Sequence, residues 1–239
     1  MSGSVRSRGD ERRKSQDDDR YRNLAVSVEQ VNLLGVRVTA RALLNCAEHE
    51  RRSSLGLGAV TDPGLLDRLL GLPVRYPCGD PALWAETSAA APGIVDHGAD
   101  GCEVTRLLEP PLVVADVIVP APRGQELGAV QDASLFASFT RRWAQTQGSV
   151  IQDTAVLEAK LCGVGLLTCH GRVILPAEPL ASATADGWTW LLAEKAYRRW
   201  LRQATAARGR LRMATRDPSR LPRCWGLGAM PGRADPPRR

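Results

Sequence analysis

Residues 112–119 read LVVADVIV, between Pro110-Pro111 on one side and Pro120 on the other. Apolar residues fill every position but Asp116, so no alternation marks a wet face. Eight residues between prolines are too few for a typical helix, and the Val/Ile content favours an extended chain. The stretch is predicted to be a β-strand covered on both faces. Such a strand needs material packed on either side of it, and the neighbouring segments supply helical and extended patterns.

Downstream, PAPRGQELGA (120–129) reads as a loop. A helix is predicted from Asp132 as N-cap, directing Leu135, Phe136, Phe139 and Trp143 inward. Val150, Thr154, Leu157 and Leu161 have helical spacing. GLLTC and RVILP flank His170-Gly171, a hairpin signal because glycine takes a positive φ at little cost. A last helix is predicted from Asp186 to about Ala207, with Trp190, Ala193, Tyr197, Trp200, Leu201 and Ala204 on one stripe.

Upstream, LAVSVEQV (24–31) fits an edge strand or the first turns of a helix. Val36, Ala40, Leu43, Leu44 and Ala47 lie on one face of a predicted helix that ends in the charged run EHERR (48–52). Asp62 and Pro63 open a short helix whose apolar face is Leu65, Leu66, Leu69 and Leu70. Residues 73–101 carry several Pro and Gly and one short helical candidate (81–90), predicting a partly irregular stretch. Together these elements predict an α+β fold: a single compact domain of several helices with a small sheet or hairpin over 23–207. A disordered charged tail is expected over 1–22 and a disordered Arg/Pro-rich basic tail over 208–239.

The 239 residues are 44% hydrophobic with mean hydropathy −0.21. No apolar run nears the roughly 20 residues of a membrane span, so no transmembrane segment is expected. The first twenty residues lack the apolar core of a secretory signal. A cytoplasmic or otherwise intracellular, non-secreted protein is expected, with its six cysteines as free thiols.

Charge is segregated. From Lys195 onward thirteen Lys/Arg stand against Asp217 and Asp235, a net of +11; the whole chain is +6, which leaves −5 for residues 1–194. Only three of the 32 cations are lysines, a bias that a gene's base composition produces by itself. The clustering therefore carries more weight than the arginine content. Lys195, Arg198, Arg199 and Arg202 form the polar face of the last helix, and Arg208, Arg210, Arg212 and Arg216 extend it. These eight are the candidate contacts for nucleic acid or an anionic membrane surface, because each neutralised phosphate releases condensed counterions. Trp200 and Trp225 are candidates for stacking on bases or for a lipid interface.

Catalytic constellations are missing from the sequence: there is no G-x-S-x-G, Walker A loop, dinucleotide fingerprint or H-E-x-x-H. Cys46-x2-His49 and His97-x4-Cys102 would together make a four-ligand zinc set, with Cys162, Cys169 and His170 as a competing cluster. Asp96, His97 and Asp100 lie in a Gly-rich loop. Asp116 inside its apolar strand needs a partner or water, since an unpaired buried carboxylate costs several kcal/mol. Trp84, Phe136, Phe139, Trp143 and Trp188 read as core. The expectation is a non-catalytic binding or accessory protein without cofactor or metal. Its body engages protein partners, and its basic end contacts nucleic acid or an anionic membrane. Two other readings stand beside it: a protein–protein adaptor or regulator with an inert solubilising tail, and an enzyme or zinc protein using the region of His97, Asp100 and Cys102.

Overall fold

The structure is a computed structural model that describes residues 24–100, 102–148, 151–180 and 186–216, the last nine of these by backbone alone. The segments 1–22 and 217–239, on which most of the two tail expectations fall, lie outside the described residues. Residues 112–121 form the strand β6 (Leu112–Ala121), with β1 (Leu24–Leu33) and β2 (Val36–Leu44) on one side of it. On its other side are β7 (Arg141–Thr146), β8 (Gly165–Thr168) and β9 (Val173–Leu175). The six strands run in the order β1-β2-β6-β7-β8-β9. β6 pairs antiparallel with β2 and parallel with β7; β7 and β8 are also parallel, and β8 and β9 antiparallel. Val117, Ile118 and Val119 are at most 4% exposed, so the centre of β6 is covered on both faces as its composition requires.

Of the helix expected from Val36 through Ala47, residues Val36–Leu44 are a strand. Val38, Ala40, Ala42 and Leu44 are buried while Arg37, Arg41 and Leu43 are exposed, a period of two that the helical reading of Val36, Ala40, Leu43 and Leu44 overlooks. Leu34 and Gly35 take φ of 51° and 83°, the two positive values of the tight turn that matches strand twist. Hairpin pairing with β1 then overrides local helical spacing. Helix α1 (Cys46–Ser54) starts after the strand, where the Asn45 side chain accepts from the Glu48 amide.

The second correction concerns residues 120–146. β6 runs on to Ala121 and α4 (Glu126–Ser134) begins at Glu126, so the expected ten-residue loop shrinks to 122–125. The helix expected from Asp132 is ending there, and Trp143 lies on β7. Phe136 plugs the core just beyond α4 at 0% exposure, and Thr140 Oγ1 donates to the Val114 carbonyl at 3.2 Å. Both hold the turn that feeds β7 into its parallel place beside β6. α5 (Asp153–Leu161) makes the next crossover, from β7 to β8. Ala129, Val130 and Ala133 of α4 and Ala159 of α5 pack on the sheet face formed by Val38, Ala40, Val117, Val119, Ala144 and Leu166.

A smaller layer completes the α+β architecture. α2 (Pro63–Leu70) is capped by Asp62, and α3 (Pro81–Thr87) by Asp80. β3 (Pro77–Gly79), β5 (Glu103–Arg106) and β4 (Val95–His97) make a three-stranded antiparallel sheet in that order. Leu66, Leu69, Leu72, Ile94, Val104 and Leu108 close over it. The last helix, α6 (Gly187–Arg216), gives Trp190 and Leu191 to this cluster and Leu192, Ala193, Ala196 and Tyr197 to the main one. By its contacts the chain divides after Leu201. The second unit is described only as the continuation of α6 to Arg216.

Gly165 marks a close approach. A Cβ there would overlap Cε3 and Cζ3 of Trp143 and lie 2.8 Å from the backbone nitrogen of Ala177. The Trp143 ring is pinned by its N–H bond to Asp116 at 2.9 Å and cannot swing aside cheaply. Gly165→Ala is expected to cost about 1–3 kcal/mol, read as a lower urea midpoint at unchanged slope.

Candidate nucleic-acid interface

The basic helix is held by a buried carboxylate. Asp186 caps its start, accepting from the Thr189 amide at 2.6 Å. Glu194, two turns on, is 0% exposed. Its oxygens accept from Arg52 Nη2 and Nη1 at 2.7 and 2.8 Å, from Trp190 Nε1 at 3.1 Å and from the Val60 amide at 2.9 Å. Arg52, also 0% exposed, donates its Nε to Glu48 at 2.6 Å and Nη2 to the Glu109 carbonyl at 2.8 Å. Burial alone would lower the Arg52 pKa, but hydrogen bonds and attraction from Glu194 and Glu48 outweigh it and raise the value above normal. In the sequence, residues 48–52 read only as the charged end of a helix. The one available signal was Glu194, an acid enclosed by the apolar residues of WLLAEKAY apart from Lys195.

Trp190, Tyr197 and Trp200 of the helix are engaged by the fold, whereas Trp188 is exposed. Tyr197 is 1% exposed, hydrogen-bonded through its hydroxyl to His49 Nδ1 at 2.8 Å, and burial raises its pKa. Trp200 stacks on Tyr197 at 5.8 Å between centroids and meets His49 edge-on at 5.0 Å. Its ring is thus engaged by Tyr197 and His49, and it is half-buried. Trp225 lies outside the described residues.

The candidate cations separate into four groups. Arg199 donates to the Glu29 carbonyl at 3.2 Å and Gln30 Oε1 at 3.3 Å, clamping the bulge of β1. Lys195 is half-buried beside Leu33, Leu34 and Trp188. Arg198 and Arg202 are exposed. Arg208, Arg210, Arg212 and Arg216 are on α6 by backbone, and their side chains lie outside the described residues.

The histidine and cysteine candidates are dispersed into structural roles. His49 meets Tyr197, whereas His97 Nε2 lies 3.1 Å from Thr87 Oγ1 and edge-on to Trp84. Asp100 Oδ1 accepts from the Cys102 and Glu103 amides and so closes a turn. Cys169 and His170 sit in the β8–β9 turn, with Gly171 at φ 78°. Among the described residues no three His, Cys, Asp or Glu side chains converge as a metal site, and Cys46, Cys78, Cys102, Cys162 and Cys169 are free thiols.

Asp116 has its partners on the sheet itself. It is 7% exposed and takes Arg141 Nε at 2.9 Å, Arg141 Nη2 at 3.1 Å and Trp143 Nε1 at 2.9 Å. Arg141 is its direct neighbour across β6 and β7. Of the aromatic residues expected in the core, Phe136 is there, Trp143 is half-buried on the strand, and Trp188 is 56% exposed.

Two other places were candidates by position. Parallel strands usually present ligands at their carboxyl ends, but here Glu126, 3% exposed, turns its carboxylate onto the Gly124 amide at 3.2 Å and Thr146 Oγ1 at 3.5 Å. A cleft of about 430 Å³ at the start of β6 is lined by Leu70, Leu112, Val113, Phe139 and Trp190 among others and is apolar. Its acid, Asp186, is used as a helix cap. Among the described residues no helix is long and apolar enough to cross a membrane. Comparison with known protein families, curated proteins and solved structures gives no match to this chain.

Proposed function

We propose that the chain is a non-catalytic binding protein whose body engages protein partners and whose basic C-terminal end contacts nucleic acid. One observation carries this reading. From Lys195 to Arg216 eight cations and no acid lie on a single continuous helix, α6. Arginine forks suit phosphate oxygens, which they bind bidentately. Nucleic acid is favoured over an anionic membrane because, of residues 202–216, only Leu211 and Met213 are large and apolar. An interfacial helix needs a broad apolar face to enter the lipid boundary. The protein-binding part rests on exposed apolar side chains of the body: Leu157 and Leu161, one turn apart on α5, are 61% and 80% exposed.

The test is a salt titration of binding to labelled single-stranded and duplex oligonucleotides, with anionic vesicles as the competing surface. Replacing Arg202, Arg208, Arg210, Arg212 and Arg216 by glutamine is expected to weaken binding at least about tenfold. The same change lowers the slope of log K against log salt by up to about 3.5 for a single strand. An unchanged slope makes the segment a solubilising spacer and leaves the adaptor reading, in which the body acts alone. Tighter binding to vesicles than to either oligonucleotide makes lipid the partner.

A further inference from the structure

The main sheet has a face that α4, α5 and α6 do not use. Across it, Ser27, Arg41, Asp116 and Arg141 are register partners in one row, and Thr39, Ile118, Trp143 and Gly165 in the next. Ser27, Arg37, Arg41 and Arg141 are exposed there, Thr39 and Trp143 are half-buried, and Ile118 and Gly165 are buried beneath them. Asp116 is the one carboxylate in these two rows, and its oxygens are already taken by Arg141 and Trp143. Arg37 and Arg41 have no ion-pair partner among the described residues. Among the described residues the face therefore presents the positive charge of Arg37 and Arg41, without a paired carboxylate, beside a fixed aromatic ring.

The spacing fits a polyanion. Arg41 and Arg141 lie two strands apart, about 10 Å, and Arg37 lies four residues from Arg41 along β2, about 13 Å. Phosphates about two nucleotides apart on one flexible, extended strand can bridge such distances. Trp143 is half-buried, its ring lying over Gly165 and its N–H held by Asp116. It is a preset stacking surface of the kind on which single-stranded bases rest. The backbone at Ala177 covers the Gly165 end of this face, and the rest of it, over β2 and the start of β7, carries no helix to insert into a duplex groove, whereas unpaired bases can lie flat on it.

We infer that this open face is a platform for single-stranded nucleic acid, with Arg37, Arg41 and Arg141 meeting phosphates and Trp143 stacking on a base. The residues belong to β2 and β7, so the inference goes beyond the basic helix and does not depend on it. The full chain is titrated with labelled oligothymidylate and with its duplex, comparing Arg37→Gln/Arg41→Gln with the five-fold α6 variant. Both arginines of the face variant are exposed and have no ion-pair partner among the described residues, so its fold is expected to remain, as circular dichroism checks. Single-strand affinity is expected to fall about tenfold and the salt slope by about 1.4, with a smaller change for the duplex. Ultraviolet crosslinking is expected to mark the peptide that contains Trp143. Unchanged affinity and slope in the face variant, alongside a loss in the α6 variant, overturn this inference alone. Equal losses for single strand, duplex and anionic vesicles overturn the single-strand assignment. No binding of any nucleic acid by the unaltered chain overturns this inference and the basic-helix reading together.

Discussion

Arg52→Ala is expected to destabilise the protein by about 3–5 kcal/mol, a large part of the roughly 5–15 kcal/mol that holds an average domain together. The loss follows from what is left behind. Glu194 is fully buried and would keep only the Trp190 and Val60 donors, while Glu48, 2% exposed, would keep Arg51. A carboxylate stripped of its cation in a dry interior faces a desolvation cost that two neutral donors do not offset. Arg51 is the built-in control. It stands next in sequence and also bonds Glu48, but its side chain is 24% exposed, so Arg51→Ala is expected to cost only about 1 kcal/mol. Urea melts of the two variants give the comparison; equal midpoints would show that burial does not set the strength of this network.

Phe136→Ala is expected to cost a similar amount, about 3–5 kcal/mol. The ring is 0% exposed and packs in the main cluster with Val130, Ala133 and Ala144. It also sits in the turn between α4 and β7, so the void left by truncation lies where a helix hands over to a parallel strand. Trp188→Ala, by contrast, is expected to stay within about 0.5 kcal/mol, because that larger ring is 56% exposed. The two denaturation midpoints separate the cases directly.

These contrasts show where sequence patterns had reach. The strand at 112–119, the Asp62-Pro63 helix, the hairpin about His170-Gly171 and the last helix were legible because local chemistry decides each of them: β-branched runs, a cap, a glycine, a stripe. Residues 36–44 were not, since Val36, Ala40, Leu43 and Leu44 satisfy a helical face by coincidence and only pairing with β1 and β6 reveals the alternation. Trp143 was misplaced for a related reason. A parallel strand such as β7 is stabilised by neighbours more than twenty residues away, Asp116 among them. The basic end was visible as charge, but nothing local said that Arg199 is tied to β1 or that Trp200 stacks on Tyr197. The open face was invisible, because Arg37, Arg41 and Arg141 become neighbours only when β2, β6 and β7 lie side by side.

One helix near the end of the chain finishes both apolar clusters, and this sets a constraint on synthesis. Trp190 and Leu191 seal one cluster, and Leu192, Ala193, Ala196 and Tyr197 the other. Ribosomes extend a chain at about 5–20 residues per second, so the preceding strands and helices emerge before the piece that closes them. A nascent chain halted before residue 187 would display two open greasy surfaces and an Arg52 left with Glu48 as its carboxylate partner. Such a product is a natural client for chaperones and proteases, and a premature stop there should leave no soluble fragment.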